Sequence, residues 1–281
     1  LTLEFHKIHG AANDFVVVDG RQESQDWGAV AARVCDRRRG VGADGLLVLE
    51  HTSGGDADFH MRYHNADGSE AEMCGNGIRC LAKFALDIGA TDLKRLTWDT
   101  GADPVSTEVL EHDGDRARVR VNMGRPRLSP GEIPVEAEGE TVREHVFDVD
   151  GTGIALTCVS MGNPHAITYV DNIRDYPLER IGPLVEHHPA FPQRTNFEIV
   201  EVLAPNHLAM RVWERGVGET MACGTGACAV AVASRLVRGS DEAVAVDLPG
   251  GTLDITWSEG QDVMMTGPAE TVFVGMLAGW H

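Results

Sequence analysis

Residues 59–80 read FHMRYHNADGSEAEMCGNGIRC, and residues 208–228 read LAMRVWERGVGETMACGTGAC. Shifted by 149 positions, Met61 falls on Met210, Arg62 on Arg211, Glu70 on Glu219, Cys74 on Cys223, Gly75 on Gly224 and Gly77 on Gly226. Asn65 falls opposite Glu214, each nine positions ahead of its cysteine. Two further echoes keep the same order. His9-Gly10-Ala11-Ala12-Asn13-Asp14, leading into Val-Val-Val-Asp19, is answered by Met161-Gly162-Asn163-Pro164-His165, leading into Tyr169-Val170-Asp171. The run Gly45–Glu50 is answered by Asn196–Glu201. One match alone is what chance produces. Three in a shared order describe a unit of about half the chain, duplicated and diverged. The period is far too long for a solenoid, so two similar lobes are expected.

The coarse patterning supports this. Residues 14–18, 45–50, 58–64, 116–121, 145–149, 154–160, 165–170, 197–202 and 207–213 are β-rich or alternating runs bounded by Gly, Pro, Asp or Asn. Helical patterns cover 28–37, 76–88 and 225–237, the last two opening just after a Cys-Gly pair. Gly89 and Gly239 stand where those helices should stop. The segment after Cys223, GTGACAVAVAS, is apolar nearly all round, which predicts a buried helix. Pro-rich residues 126–134 suit a linker or an edge between the lobes. The expected class is α+β, each lobe being mostly strands wrapped around one helix of small residues.

Length and charge narrow the function. The 281 residues make one large domain or two smaller ones. The net charge of −19 disfavours nucleic acid and anionic membrane surfaces as partners. No apolar run is long enough for a transmembrane helix, and Leu-Thr-Leu-Glu-Phe-His-Lys at the start has no signal-peptide character. The six cysteines include no CxxC pair, so a zinc ribbon or thioredoxin-type site is not expected. Free thiols in a reducing cytoplasm fit better than three disulfides. The only lysines are Lys7, Lys83 and Lys94, none in a motif suited to a pyridoxal phosphate Schiff base.

The paired cysteines carry the chemistry. A helix start presents unpaired N–H groups and a partial positive charge, so a Cys there should have its thiolate favoured. The following Gly lets a carboxylate approach the N–H groups of Gly75 and Asn76 in one lobe and Gly224 and Thr225 in the other. With the lobes related by a pseudo-twofold, the two helix starts are expected to face one cleft. One acid/base group on each face of a carbon next to a carboxylate is what inversion of a stereocentre by proton exchange requires. A lone Cys before Gly is usually a packed small hydrophobe; two at matched places of a duplication point to function. Cys35, Cys80, Cys158 and Cys228 read as core.

At these residues the chain resembles the diaminopimelate epimerases along nearly its whole length. The resemblance rests on His9-Gly10 through Phe15, Val41-Gly42-Ala43-Asp44, Asn65 through Glu70, Cys74-Gly75-Asn76-Gly77, Met161 through His165, Arg194-Thr195-Asn196, Glu214-Arg215-Gly216 through Thr220, Ala222 through Cys228, Pro249-Gly250-Gly251 and Met265 through Ala269. It implies a cofactor-independent epimerase, with no metal, acting on LL- and meso-2,6-diaminoheptanedioate in lysine and cell-wall precursor synthesis. It implies two strand-rich barrels, each around a helix: residues 1–124 joined by a returning strand at 269–281, and residues 125–268. Cys74 and Cys223 match the acid/base pair. Asn13, Gly45, Asn65, Asn163, Asn196, Glu214 and Arg215 match substrate-holding positions, mainly for the distal ammonium and carboxylate, which a two-pronged Arg and a Glu suit. His165 and Glu214 match positions that tune the thiols. The resemblance also implies a homodimer.

Two departures stand out. Many family members carry Gln where this chain has Gly45, which removes one side-chain contact to substrate. A C-terminal aromatic at the dimer contact, often Tyr, is Phe273 here, so the ring remains without its hydroxyl. Proline and hydroxyproline racemases are the nearest rivals, but a proline-like substrate has no distal charged end for Glu214 and Arg215. Phenazine-type isomerases replace Cys with a carboxylate. A redox or metal-binding role for the same thiols is the rival of another class.

Overall fold

The computed structural model describes residues 3–22, 24–52, 54–71, 74–101 and 104–277. The chain divides into two compact units, Leu1–Asn122 with Thr266–His281, and Met123–Met265.

In the first unit the strands are β1 (Leu3–Gly10), β2 (Asn13–Asp19), β3 (Gly45–Glu50), β4 (Phe59–Asn65), β5 (Glu70–Ala71), β6 (Arg95–Asp99), β7 (Val105–Asp113) and β8 (Arg116–Asn122). The C-terminal β17 (Met264–Leu277) joins them. β1 pairs antiparallel with β2, β2 parallel with β3, β3 antiparallel with β4 and β4 parallel with β6. β6, β7 and β8 follow as antiparallel neighbours, β8 pairs with β17, and β17 returns antiparallel to β1. The ring closes, so its strands leave no unpaired edge. Helix α2 (Gly75–Asp87) fills it and is buried from Gly75 to Ala85. Helix α1 (Trp27–Val34) makes the crossover between the parallel strands β2 and β3. Leu46, Leu47, Val48 and Leu49 are all wholly buried, as a strand covered on both faces must be.

The second unit repeats the plan. Its strands are β9 (His145–Val149), β10 (Thr152–Ser160), β11 (Pro164–Tyr169), β12 (Asn196–Ala204), β13 (His207–Glu214), β14 (Gly218–Thr220), β15 (Ala243–Leu248) and β16 (Gly251–Thr256). From β10 to β16 the senses run antiparallel, parallel, antiparallel, parallel, antiparallel, the same series as β1 to β7. Helix α3 (Leu178–Glu186) makes the first crossover, and α4 (Gly224–Arg238) the second. The arginine–glutamate pairs that the 149-residue shift aligned brace equivalent hairpins: Arg62 Nη1 to Glu70 Oε1 at 2.8 Å, and Arg211 Nε to Glu219 Oε1 at 2.7 Å. The α+β class and the two similar lobes, each a strand-rich body around a helix, are therefore as the sequence implies.

Several elements lay outside the sequence reading. β1 was missed because His6 and Lys7 are buried and break the apolar alternation. β6, β7, β15 and β16 were missed as well. Helix α3 was missed because Pro177 caps it and Pro183 lies inside it, and both read as breakers. Residues 126–134 are an edge: Arg127 bridges Ser160, and Pro130–Glu132 form a 3₁₀ turn. Residues 278–281, the end of the expected returning strand, lie outside the described residues. Among the described residues no helix is long and apolar enough to cross a membrane.

Candidate active site

Each cysteine caps its helix in the same way. Cys74 has extended backbone and its Sγ accepts from Gly77 N at 3.4 Å; Cys223 does the same with Gly226 N at 3.3 Å. Sulfur here takes the place that a Ser or Asp oxygen usually fills at a helix start. Two residues that follow, Gly75-Asn76 and Gly224-Thr225, supply the first N–H groups of α2 and α4, which point out of the helix start toward any anion held there.

In the first unit three expected residues come together at Cys74. Asn13 Oδ1 lies 3.7 Å from Cys74 Sγ and accepts from Asn76 Nδ2 at 3.2 Å. The amide of Asn13 is held from behind, since its Nδ2 donates to Asp44 Oδ2 at 2.8 Å. Asp44 in turn is clamped by Arg37, which also pairs with Asp14. Burial raises the Asp14 carboxyl, but donation from Arg37 and Lys7 outweighs it and holds Asp14 at about 2. Arg79 is wholly buried one turn into α2. It donates to Gly75 O at 3.2 Å, Asn76 Oδ1 at 2.9 Å and Pro268 O at 3.2 Å, tying the helix start to the C-terminal strand. Gly10 is needed beside it, because a Cβ there would sit 3.0 Å from Arg79 Nη2.

Asn65 and Gly45 are register partners on β4 and β3. The Asn65 side chain turns to Ser69 Oγ at 3.0 Å. A Cβ at Gly45 would lie 2.5 Å from the Tyr63 ring and 2.7 Å from His64 O, so the tyrosine ring occupies the space a longer residue would need.

In the second unit Cys223 is wrapped more tightly, at 5% exposure. Thr225 Oγ1 is 3.5 Å from its Sγ and accepts from Asn163 Nδ2 at 3.3 Å. Asn163 Oδ1 is 3.0 Å from His165 Nε2, and His165 Nδ1 is 2.6 Å from Glu198 Oε1. Glu214 accepts from the Thr220 hydroxyl, and its negative charge bears on Cys223. Asn196 Nδ2 donates to Pro164 O at 2.8 Å, and Asn196 Oδ1 accepts from Arg215 N at 2.9 Å. The Arg215 guanidinium is exposed and reaches Gln193 O at 3.1 Å. Phe273 stands apart on β17, 46% exposed and edge-on to Phe5 at 5.8 Å.

One expectation is corrected. A helix start alone should favour the thiolate, yet the Cys223 thiol is pushed well above its ordinary value. Burial is the main cause; the negative charges of Glu214 and Glu198 add to it, and the Thr225 and Gly226 donors do not compensate. Cys35, Cys80, Cys158 and Cys228 are buried as expected, and burial pushes Cys80 up to about 12. All six cysteines are free thiols. Among the described residues no cluster of His, Cys, Asp or Glu forms a metal site.

Three residues escaped the sequence reading: Arg79, Asp44 and Glu198. Glu198 had a signal, as the acid in Asn196-Phe-Glu-Ile-Val that answers Leu47 of the first lobe. Arg79 had none, because an Arg inside a helix reads as exposed.

The fold, two similar strand-rich units each around a helix, has likenesses among solved structures. It is similar to a Bacillus anthracis phenazine biosynthesis protein of the PhzF family (TM-score 0.69, 17% identity, 99% of each chain). It is also similar to a hydroxyproline epimerase from Agrobacterium vitis (TM-score 0.68, 14% identity, 98% of this chain and 91% of that one). At those identities the likeness is one of fold. The sequence goes further: residues 5–129 and 157–272 match the diaminopimelate epimerase family. The diaminopimelate epimerase of Desulforudis audaxviator is 51% identical over 276 residues, 97% of this chain and 98% of that protein. The chain belongs to the diaminopimelate epimerase family.

Proposed function

We propose that this chain interconverts LL- and meso-2,6-diaminoheptanedioate in lysine biosynthesis by exchanging one α-proton between two cysteines. The observation that carries the mechanism is the repeated cap: in both units a thiol, followed by Gly, sits on the start of a buried helix. The reacting α-carboxylate rests on N–H groups of Gly75, Asn76, Gly224 and Thr225, where the helix dipoles favour the charge that builds up as the proton leaves. One thiolate takes the α-proton, and the other thiol delivers its own to the opposite face. The protons balance, and the next turnover runs in reverse or after re-equilibration with water. The distal end is held by Asn13, Asn65, Asn163, Asn196, Glu214 and Arg215, the last gripping its carboxylate.

Cys223 has partners for both of its charge states. The Glu214 carboxylate favours the neutral thiol, and the Thr225 hydroxyl can turn its proton toward the thiolate. An acid/base group that alternates between states needs both. No cofactor enters this scheme. The protein works in the cytoplasm as a homodimer, with Phe273 on the exposed apolar strip Val272, Phe273, Val274 and Met276 of β17 as the contact.

The test is incubation of freshly reduced protein with meso-diaminopimelate in deuterated water, without cofactor, followed by NMR. Deuterium at one α-carbon together with formation of the LL isomer is expected. Label at both α-carbons of the first-formed LL isomer, or none from protein with both thiols reduced, would overturn the proposal.

A further inference from the structure

We propose that Glu198 is a positioning residue for Cys223, acting through His165, Asn163 and Thr225; the inference rests on the reading of Cys223 as an acid/base group.

The direction of each hydrogen bond can be followed along the chain. Asn163 Nδ2 donates to Thr225 Oγ1 at 3.3 Å, so its amide oxygen faces His165. An amide oxygen only accepts, so the 3.0 Å contact with His165 Nε2 needs a proton on Nε2. Thr225 Oγ1, having accepted, keeps its own proton for Cys223 Sγ at 3.5 Å. At the far end His165 Nδ1 and Glu198 Oε1 are 2.6 Å apart with both side chains wholly buried, a distance that requires one proton between them. Wherever that proton sits, Nε2 keeps its own. Glu198 thus fixes the state of the ring, the ring fixes the amide, and the amide aims the hydroxyl at sulfur.

Three observations say that the acid is not there for the fold. The register places Glu198 on β12 where the first unit has Leu47 on β3, since Gly45 pairs with Phe15 as Asn196 pairs with His165. A leucine satisfies the same strand there and is wholly buried. The second carboxyl oxygen, Oε2, is buried with no hydrogen-bond partner, which a packing role would not retain. And α4 makes room for the acid: a Cβ at Gly226 would lie 2.9 Å from Glu198 Oε1 and 3.2 Å from Cys223 Sγ. Burial raises the Glu198 carboxyl, which suits a proton shared with the ring.

The experiment has two arms. In ¹⁵N-histidine-labelled wild-type protein, His165 Nε2 is expected to carry a proton; a bare Nε2 overturns the proposal without any variant. In the second arm, Glu198→Leu should lower turnover about 10- to 100-fold, the usual scale for removing such a partner. Glu198→Gln should recover most of that loss, because its amide N–H can donate to Nδ1 and leave Nε2 protonated. Wild-type turnover in the leucine variant, or a glutamine variant no better than leucine, overturns it. Alkylation of Cys158 and Cys228 monitors the fold, and if the leucine variant loosens, the first arm decides. Should Cys223→Ala retain turnover, the reading of Cys223 fails, a result separate from the protonation of the ring.

Discussion

The starts of α2 and α4 share a backbone plan and differ in charge. Cys74 sits on a helix whose first turn is held by the wholly buried guanidinium of Arg79, with Asn13 and Asn76 as neutral neighbours. Cys223 sits near two acids, the wholly buried Glu198 and the partly buried Glu214. The 149-residue shift places Cys228 where the first unit has Arg79, and the strand register places Leu47 where the second unit has Glu198. Duplication preserved the cap, and divergence put opposite charges behind it. A cation near a helix-start thiol favours the anion, and buried carboxylates favour the neutral thiol. Charge thus separates the two helix starts: a buried cation stands behind the first and acids stand behind the second.

Breaking either half should cost most. Cys74→Ala and Cys223→Ala should each lower turnover by about 10²–10⁴, the range for a lost acid/base group, with the fold intact by circular dichroism. Arg79→Met comes next. It removes charge-assisted bonds to Gly75 and Asn76, and turnover should fall about 10- to 100-fold, on the scale of such bonds. Peptide-resolved alkylation should show Cys74 slowed and Cys223 unchanged; equal slowing of both thiols would contradict the separation of the halves.

Matched glycine substitutions sharpen the contrast further. A Cβ at Gly77 would meet flexible side-chain ends, Leu47 at 3.1 Å and Met61 at 3.3 Å. A Cβ at Gly226 would meet the buried Glu198 carboxyl at 2.9 Å. Gly226→Ala should therefore destabilise by about 1–3 kcal/mol, the usual range for overpacking, and Gly77→Ala by less. Urea midpoints of the two variants would measure this.

The smallest effect concerns acid. The folded Asp14 carboxyl lies at about 2, below its ordinary 3.8, so its contribution is present above that ordinary value and is lost as pH falls toward 2. The shift corresponds to about 2 kcal/mol for this mostly buried side chain. Asp14→Asn should lower stability at neutral pH and flatten the loss between about pH 4 and pH 2 in urea titrations. An unchanged acid limb would show that the Arg37–Lys7 clamp does not hold the Asn13 loop.

The repeat made much of this visible in advance. Cys-Gly at both helix starts, Gly239 as the left-handed stop of α4 and the apolar run of α4 follow from local rules that read directly in residues. What stayed hidden depends on tertiary neighbours. Lys7 and His6 are buried in β1, so that strand does not alternate. Pro183 inside α3 looks like a break, yet Gly182 lets the helix lie against Trp213, where a Cβ would come within 2.5 Å. Glycine at 45 looked like a lost contact, and the Tyr63 ring in that space was not legible from the spacing. The rise of the Cys223 thiol comes first from burial in the fold, with added charge from Glu214 and from Glu198, a residue 25 positions away in sequence.

The contrast between the halves can be read in one experiment on the unmodified protein: the rate of iodoacetamide labelling of Cys74 and Cys223 as a function of pH, resolved by peptide mass spectrometry. Cys74 should be consumed first at neutral pH, and the Cys223 rate should rise with a midpoint well above the ordinary thiol value of about 8.5. A Cys223 midpoint at or below that value, or equal labelling of both thiols across the range, would contradict the account.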